Sequence, residues 1–541
     1  MKKNDVFRTK ITAYTSEGLG ICRINDTVVF VPETAVGDEL NVRITKIASN
    51  LAYGRKEALI TPAQCRIAID CPSFPRCGGC DFRHISYEEE LRFKKQRVAD
   101  CLQRITGIGM EPEEIIGADN IHHYRNKAQF PVQEINGSPE MGFYRERSHS
   151  IIPTERCLIQ SKDCEAIIKA LKNWMVRYNV KAYDEVAHAG IIRHLYTRTS
   201  TKNGDTLVCI VTYGNKLPHK NELIECITSA CPSVTGIIQC TNNTHGNRIL
   251  SDDYTLLWGK DHIYDNIGNL SFKISARSFF QVNTEQAFKL YSKAKEYAEL
   301  SGGEDVIDLY CGTGTIGLFM ADKAKSLYGM EIISQAIEDA KKNALANGIK
   351  NATFEVGDAG GFSADKLGVD PDNTVIFVDP PRKGLDEALI TTIDQFSPKR
   401  LVYISCDPAT MARDVKLFIE KGWKVDRCCT VDMFPRTRHV ETVVLLSQLK
   451  STDHIKVEID LSGDDLTPSE AKGTYDDIKR YIYERYQVKV SSLYISQVKR
   501  KLGLPVGECY NKPKSEEVRV PNCPEEKERM IAEALRYFKM V

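Results

Sequence analysis

From about residue 278 to residue 450 apolar strands alternate with helical stretches, and this pattern restricts what the chain can fold into more than any other feature. EDVIDLY, SLYGMEI, ATFEVGDA, TVIFVDP and RLVYISC are each followed by a helical segment, and WKVDRCCTVDMF and HVETVVLLSQL close the series. Strands separated by helices pair through crossovers, which predicts a doubly wound, mostly parallel sheet of the Rossmann kind. Ligands of such a sheet bind outside the carboxyl ends of its strands.

The chemistry-bearing residues of this region fall at those strand ends. Gly312, Gly314 and Gly317 form a G-x-G-x-x-G loop after the first strand, where small residues let the backbone turn and approach a ligand. That loop alone suits nicotinamide and flavin enzymes equally well. Glu331 closes the second strand, placed to accept ribose hydroxyls, and Asp358 follows the third, placed to reach an adenine. Asp379-Pro380-Pro381 closes the fourth, an element with no obvious part in a dehydrogenase, and shifts the expectation to S-adenosylmethionine.

Cys406, in Ile404-Ser405-Cys406-Asp407-Pro408, ends the fifth strand and precedes a helix. A cysteine there is more often structural, but a thiol at a helix N-terminus is also expected to have a lowered pKa and to act as a nucleophile. Carbon 5 of uracil becomes nucleophilic only when a thiolate adds to carbon 6, and a base must then remove the carbon 5 proton. Glu441, in Arg438-His439-Val440-Glu441-Thr442, is the candidate base, with His439 a weaker rival.

Together, SCDP at 405–408, HVET at 439–442, DPPRKG at 379–384 and SFFQVN at 278–283 resemble the RNA m5U (uracil-5-) methyltransferases, over roughly residues 6–448. The resemblance implies a class I methyltransferase domain in which Gln281, Tyr310, Glu331 and Asp379 bind S-adenosylmethionine, Cys406 is the nucleophile and Glu441 the proton acceptor. Residues 6–62 alternate apolar and polar positions between turn signals and resemble a TRAM domain, an OB-like β-barrel that grips RNA. Arg23, Arg43, Lys46, Arg55 and Lys56 would supply its basic edges, although charged strands are more often plain solvated faces.

Cys71, Cys77 and Cys80 are spaced C-x5-C-x2-C, with Cys157 a distant fourth and Cys65 and Cys164 lower-ranked alternatives. By spacing, four thiolates serve zinc and a [4Fe–4S] cluster equally. The resemblance to ribosomal RNA members of the family, several of which carry a cluster in this arrangement, favours iron–sulfur. It also favours 23S ribosomal RNA over transfer RNA, whose enzymes typically lack the barrel and these cysteines.

The expected architecture is therefore a multidomain α/β protein: a TRAM-like barrel (1–62), a central mixed α/β region with the iron–sulfur cysteines (63–277), a Rossmann-like methyltransferase domain (278–450) and a helical extension (451–541). In that extension two short amphipathic helices are expected, at 474–486 and 491–502, with Ser491 and Ser492 as caps. The 73 basic and 73 acidic residues cancel, so an RNA surface must be local. No apolar run suits a membrane, the start MKKNDVFRTKITAY lacks a signal-like core, and eighteen cysteines point to a reducing compartment, so a cytoplasmic monomer is expected. The main alternatives are a transfer RNA m5U enzyme and, from another class, an iron–sulfur redox protein.

Overall fold

The run Asp305–Leu309 is buried at every position, as a strand covered on both faces must be. It is the third of eight strands in the order Ala352–Val356, Ser326–Glu331, Asp305–Leu309, Thr374–Val378, Arg400–Ser405, Glu441–Gln448, Trp423–Val431 and Ile115–Ile116. The first five run parallel, and Glu441–Gln448 runs antiparallel to both its neighbours. This computed structural model describes residues 1–449 apart from 147, 247 and 363–366, and residues 475–537 apart from 487, 489, 503 and 505–522.

Alternate residues of the strands feed two cores on opposite faces of the sheet. Val306, Phe377, Val402 and Val443 face one, and Ile307, Ile376, Leu401 and Val444 face the other. The first core is continuous with Leu207, Cys209 and Val211 of a second, seven-stranded sheet that runs from Ile151–Pro153 at one edge to Tyr254–Gly259 at the other. The opposite face of that sheet is covered by helices Asp163–Arg177 and Lys220–Ala230, around the fully buried Trp174. An N-terminal six-stranded sheet encloses Ile11, Cys22, Val29, Val31, Leu40 and Val42. On its surface Arg43 is held by Glu57 at 2.7 Å, and Lys56 donates to the Glu33 carbonyl at 3.3 Å.

Residues 453–541 form a separate unit. Its described part holds helices Tyr475–Tyr486, Ser492–Lys501 and Glu525–Tyr537 around Ile478, Ile482, Ile495, Val498, Ile531 and Leu535. Ser491 caps the second helix by accepting from the Tyr494 amide at 3.3 Å. The third helix adds to the two expected: EEKERMIAEALRY sets Met530, Ile531, Ala534 and Leu535 on one stripe and needs the other two helices to bury it.

Helix Tyr87–Cys101, capped by Ser86, joins the upstream chain to the catalytic sheet. Its Lys94, with no exposed surface, donates to Glu90 Oε1 at 2.7 Å and to Asp432 Oδ1 at 2.6 Å. Lys94→Ala would leave the buried Asp432 carboxylate without a counter-charge and Glu90 with only Arg436 at 3.8 Å, a change that costs about 3–5 kcal/mol. All three tryptophans (Trp174, Trp258 and Trp423) lie in the first unit. Urea unfolding followed by tryptophan fluorescence should therefore show the loss directly, and an unchanged midpoint would remove Lys94 as an anchor.

Candidate active site

The carboxyl ends of the parallel strands open onto a cleft of about 1120 Å³. Tyr310, Glu331, Asp358 and Asp379 line it, each following or ending a strand, together with Gln281 from the segment before helix Thr284–Ala298. Cys406 and Glu441 line the same cleft, and so do Cys71, Cys77, Cys80 and Cys157. The fold thus gathers around one space residues spread from 71 to 441.

Antiparallel pairing brings Cys406 and Glu441 together. Ser405 pairs with Thr442 as the last pair of the two strands, so Cys406 follows the end of one strand where Glu441 begins the other, and the Glu441 carboxyl acts electrostatically on the Cys406 thiol.

The glycine loop is built for close approach. Gly314 lies at φ 78°, and Gly317 donates its amide to Asp308 Oδ2 at 2.8 Å. A Cβ on Gly317 would stand 2.9 Å from that same oxygen, so a larger residue would push the loop off its strand. Glu331 accepts from the amides of Gly312 at 3.3 Å and Ile333 at 3.0 Å, which ties the loop to the second strand.

Glu441 begins its strand after a turn whose carbonyls are held from outside. Asp432 O accepts from Gln286, Met433 O from Asn283, Phe434 O from Lys94, Pro435 O from the Tyr124 hydroxyl, Arg436 O from the amides of Asp81 and Phe82, and Arg438 O from Arg97. Arg436 itself sits at φ 69°, a strained position that this cage maintains. Of these donors only Asn283 falls within a motif visible in the sequence; the others are scattered and carry no signal. Arg382, which faces both Cys406 and Glu441, likewise gives no sign of its role in the sequence, although it follows Asp379-Pro-Pro directly.

The four cysteines surround one end of the cleft. Burial raises the thiols of Cys77, Cys80 and Cys157, and each is raised further by another of the set: Cys77 by Cys157 and Cys71, Cys80 by Cys157 and Cys77, Cys157 by Cys71. Among the described residues no three His, Cys, Asp or Glu side chains are drawn together as ligands of a single metal ion. The thiols therefore share a space without closing on one point. Cys77 is tied to the Ser73 carbonyl at 2.9 Å, and Cys80 is packed against Arg83. Cys164 lies in the central core, bonded to Thr197, and Cys65 packs near Val36; neither lines the cleft.

Residues 86–449 match the tRNA (uracil-5-)-methyltransferase family, and residues 2–56 match the TRAM domain. The chain belongs to the tRNA (uracil-5-)-methyltransferase family. An uncharacterized RNA methyltransferase of Clostridium tetani is 44% identical over 447 residues, 83% of this chain and 97% of that protein. One from Halalkalibacterium halodurans is 43% identical over 456 residues, covering 82% and 98%. The crystal structure of the Pyrococcus abyssi tRNA (uracil-54, C5)-methyltransferase in complex with S-adenosyl-L-homocysteine is similar, with a TM-score of 0.66 at 26% identity over 81% of this chain and 100% of that one. This chain is accordingly an S-adenosylmethionine-dependent RNA methyltransferase, which sets aside the redox alternative.

In this methyltransferase two acids of the cleft, Glu441 and Asp379, and the fully buried Asp308 have raised pKa values. Burial pushes Glu441 up to about 8, helped by Asp379 and opposed by Arg382. Burial also pushes Asp379 up to about 7 and Asp308 to about 8. The Cys406 thiol is pushed up to about 11 by burial, then by Glu441 and Asp379, against Arg382. The lowered thiol expected from a helix N-terminus is therefore corrected. The first free amides of helix Pro408–Glu420, those of Ala409 and Thr410, already donate to Asp407 at 3.0 Å. His439 is driven down to about 4 by burial and by Arg382 and Arg438, which leaves it a weaker proton acceptor than Glu441.

A carboxyl whose pKa is higher folded than unfolded binds more protons in the folded state, so stability falls as pH rises between the two values. For Glu441 that window runs from the ordinary 4.5 to about 8. The melting temperature of the ligand-free protein should drop across this range, and Glu441→Gln should flatten the drop. A variant with the parent's full pH slope would show that Glu441 is not held protonated.

Proposed function

We propose that this enzyme methylates carbon 5 of a uridine in structured RNA, with 23S ribosomal RNA as its substrate and the cytoplasm as its compartment. The observation that carries the reading is the antiparallel Ser405–Thr442 pairing, which brings the Cys406 and Glu441 ends of two strands to the cleft that Gln281, Tyr310, Glu331 and Asp379 also line. S-adenosylmethionine, when bound, supplies an electrophilic methyl group and a positive charge beside these carboxylates. A uridine within a duplex cannot reach this cleft, so the base must be flipped out. Arg125, Lys127, Arg156 and Lys383 line the cleft and suit the flanking phosphates.

Cys406, once its proton has passed to solvent, adds through Sγ to carbon 6 as the thiolate; the ring electrons move to carbon 5, which takes the methyl group, and the electron pair of the broken sulfur–methyl bond stays on the cofactor's sulfur as a neutral thioether. Glu441, in its ionised form, then removes the carbon 5 proton. The electrons of that C–H bond restore the 5,6 double bond and expel Cys406 as thiolate. Arg382 is the cation already placed to favour the anionic forms of both residues.

Ribosomal RNA is supported by the TRAM match and by the four cysteines beside the cleft. The Pyrococcus abyssi relative acts on transfer RNA, which supports the second reading, a transfer RNA m5U enzyme. For the four cysteines we propose a [4Fe–4S] cluster with a structural role. Cys71, Cys77, Cys80 and Cys157 would hold it, and what supports the reading is that all four line the same cleft and that Cys77, Cys80 and Cys157 each feel others of the set.

Each part has its test. Purified protein should methylate unmodified 23S ribosomal RNA and leave unmodified transfer RNA untouched; the reverse would select the second reading. Cys406→Ala should form no covalent complex with RNA. Glu441→Gln should accumulate a denaturation-resistant adduct carrying cofactor-derived methyl label, with turnover reduced about 10²–10⁴-fold, the usual contribution of a general base. A Glu441→Gln enzyme with the parent's turnover would remove that role. Anaerobically purified protein should contain about four irons per chain, and stoichiometric zinc without iron would overturn the cluster.

A further inference from the structure

Asp81 follows Cys80 directly and touches neither Cys406 nor Glu441, yet it holds the segment on which Glu441 is mounted. Its amide donates to the Arg436 carbonyl at 2.9 Å, and that of Phe82 donates to the same oxygen at 3.1 Å. Its carboxylate accepts the Arg438 amide on Oδ2 at 2.9 Å and the Arg438 guanidinium on Oδ1 at 3.0 Å. One side chain thus holds the backbone amide of a residue three positions before Glu441 and shares that residue's guanidinium with Glu17, which meets it at 3.0 Å. Asp81, Arg438, His439 and Glu441 all line the cleft, so the contact lies at the site and not in a remote core.

We propose that Asp81 is a positioning residue for proton removal: by fixing Arg438 it sets where Glu441 is presented, and it links the four-cysteine end of the cleft to that step. Cys406 is mounted differently, at the end of strand Arg400–Ser405 in the middle of the sheet, and does not depend on this contact. Loss of Asp81 should therefore leave thiolate addition and methyl transfer intact and slow the later step, in which the carbon 5 proton passes to Glu441, the 5,6 double bond re-forms and Cys406 leaves. General destabilisation would slow every step alike. The proposal rests on the reading of Glu441 as the base.

The test follows the methyl-labelled protein–RNA adduct in the full chain with parent-like metal content. Asp81→Ala should form adduct at the parent's rate and resolve it roughly 10- to 100-fold more slowly, since a displacement of about 1 Å can cost on the order of 10²-fold. Asp81→Asn keeps an acceptor for the Arg438 amide but loses the ion pair, so it should fall between parent and alanine variant. It also carries the same comparison if Asp81→Ala does not fold. Glu441→Gln serves as the reference. If it accumulates adduct while both Asp81 variants resolve theirs at the parent's rate, or form none, the positioning role is wrong and the base stands. If Glu441→Gln itself accumulates no adduct, the base assignment falls and this proposal with it.

Discussion

The buried ammonium of Lys94 is the point on which the catalytic half of the molecule is assembled. It meets Glu90 on its own helix, Asp432 at the end of strand Trp423–Val431, and the carbonyl of Phe434 beyond it. The Tyr87 hydroxyl donates to the other oxygen of Asp432 at 2.7 Å, and Glu90 also accepts the Arg436 amide at 2.7 Å. Burying three charges is expensive, and well-packed apolar residues often stabilise as much. Apolar residues could not, however, direct a turn. The ammonium and its two acids supply directional bonds at three positions of 432–436, and the remaining carbonyls of 432–438, apart from that of Thr437, are met from helix Thr284–Ala298, Tyr124, Arg97 and the cysteine segment.

A rigid turn matters because Glu441, the proposed base, is mounted just beyond it. Glu441 is a carboxyl held where water barely reaches, and its raised pKa reflects that desolvation. A base in such a place is strong once ionised, and it keeps its aim only if its backbone cannot relax toward solvent. The same burial protects the Cys406 thiol from chance reaction by keeping it protonated in the free site. The helix N-terminus that would otherwise activate the thiol is occupied by Asp407. Activation is therefore left to Arg382 and to charge arriving with ligands.

The Rossmann-like sheet is legible in the sequence because its strands are apolar throughout and bounded by turn residues. Of the residues at its carboxyl ends, Glu331, Asp379 and Cys406 are legible because topology puts a strand's last residue at the cleft, whereas Tyr310 is given only by the resemblance to the family. Ile115–Ile116 is not, since two residues have no periodicity and their place beside Thr430 and Val431 depends on pairing with a strand far along the chain. The turn's donors are invisible for the same reason: Lys94, Arg97 and Tyr124 read locally as ordinary surface or core residues. The thiol's pKa is misjudged because sequence shows the helix that comes after Cys406 but not the burial that raises it first, nor the neighbouring Glu441 and Asp379 that raise it further. The third C-terminal helix is readable in the stripe Met530, Ile531, Ala534, Leu535, yet it lies beyond the two helices that the sequence reading expects in this extension.

The topology also explains why Cys406 and Glu441, the proposed nucleophile and base, sit apart in sequence. In an all-parallel sheet every strand start points away from the cleft, so a residue that opens a strand cannot join one that closes another. Reversing Glu441–Gln448 brings a strand start to the rim where Arg400–Ser405 ends, and the Ser405–Thr442 pairing fixes how far along. A slip of one residue would send the Glu441 side chain to the opposite face of the sheet. Neighbouring core residues resist that slip. Val443 and Val444 are fully buried on opposite faces, so the packing that holds the sheet together also keeps the strand that Glu441 opens in register with the strand that Cys406 follows.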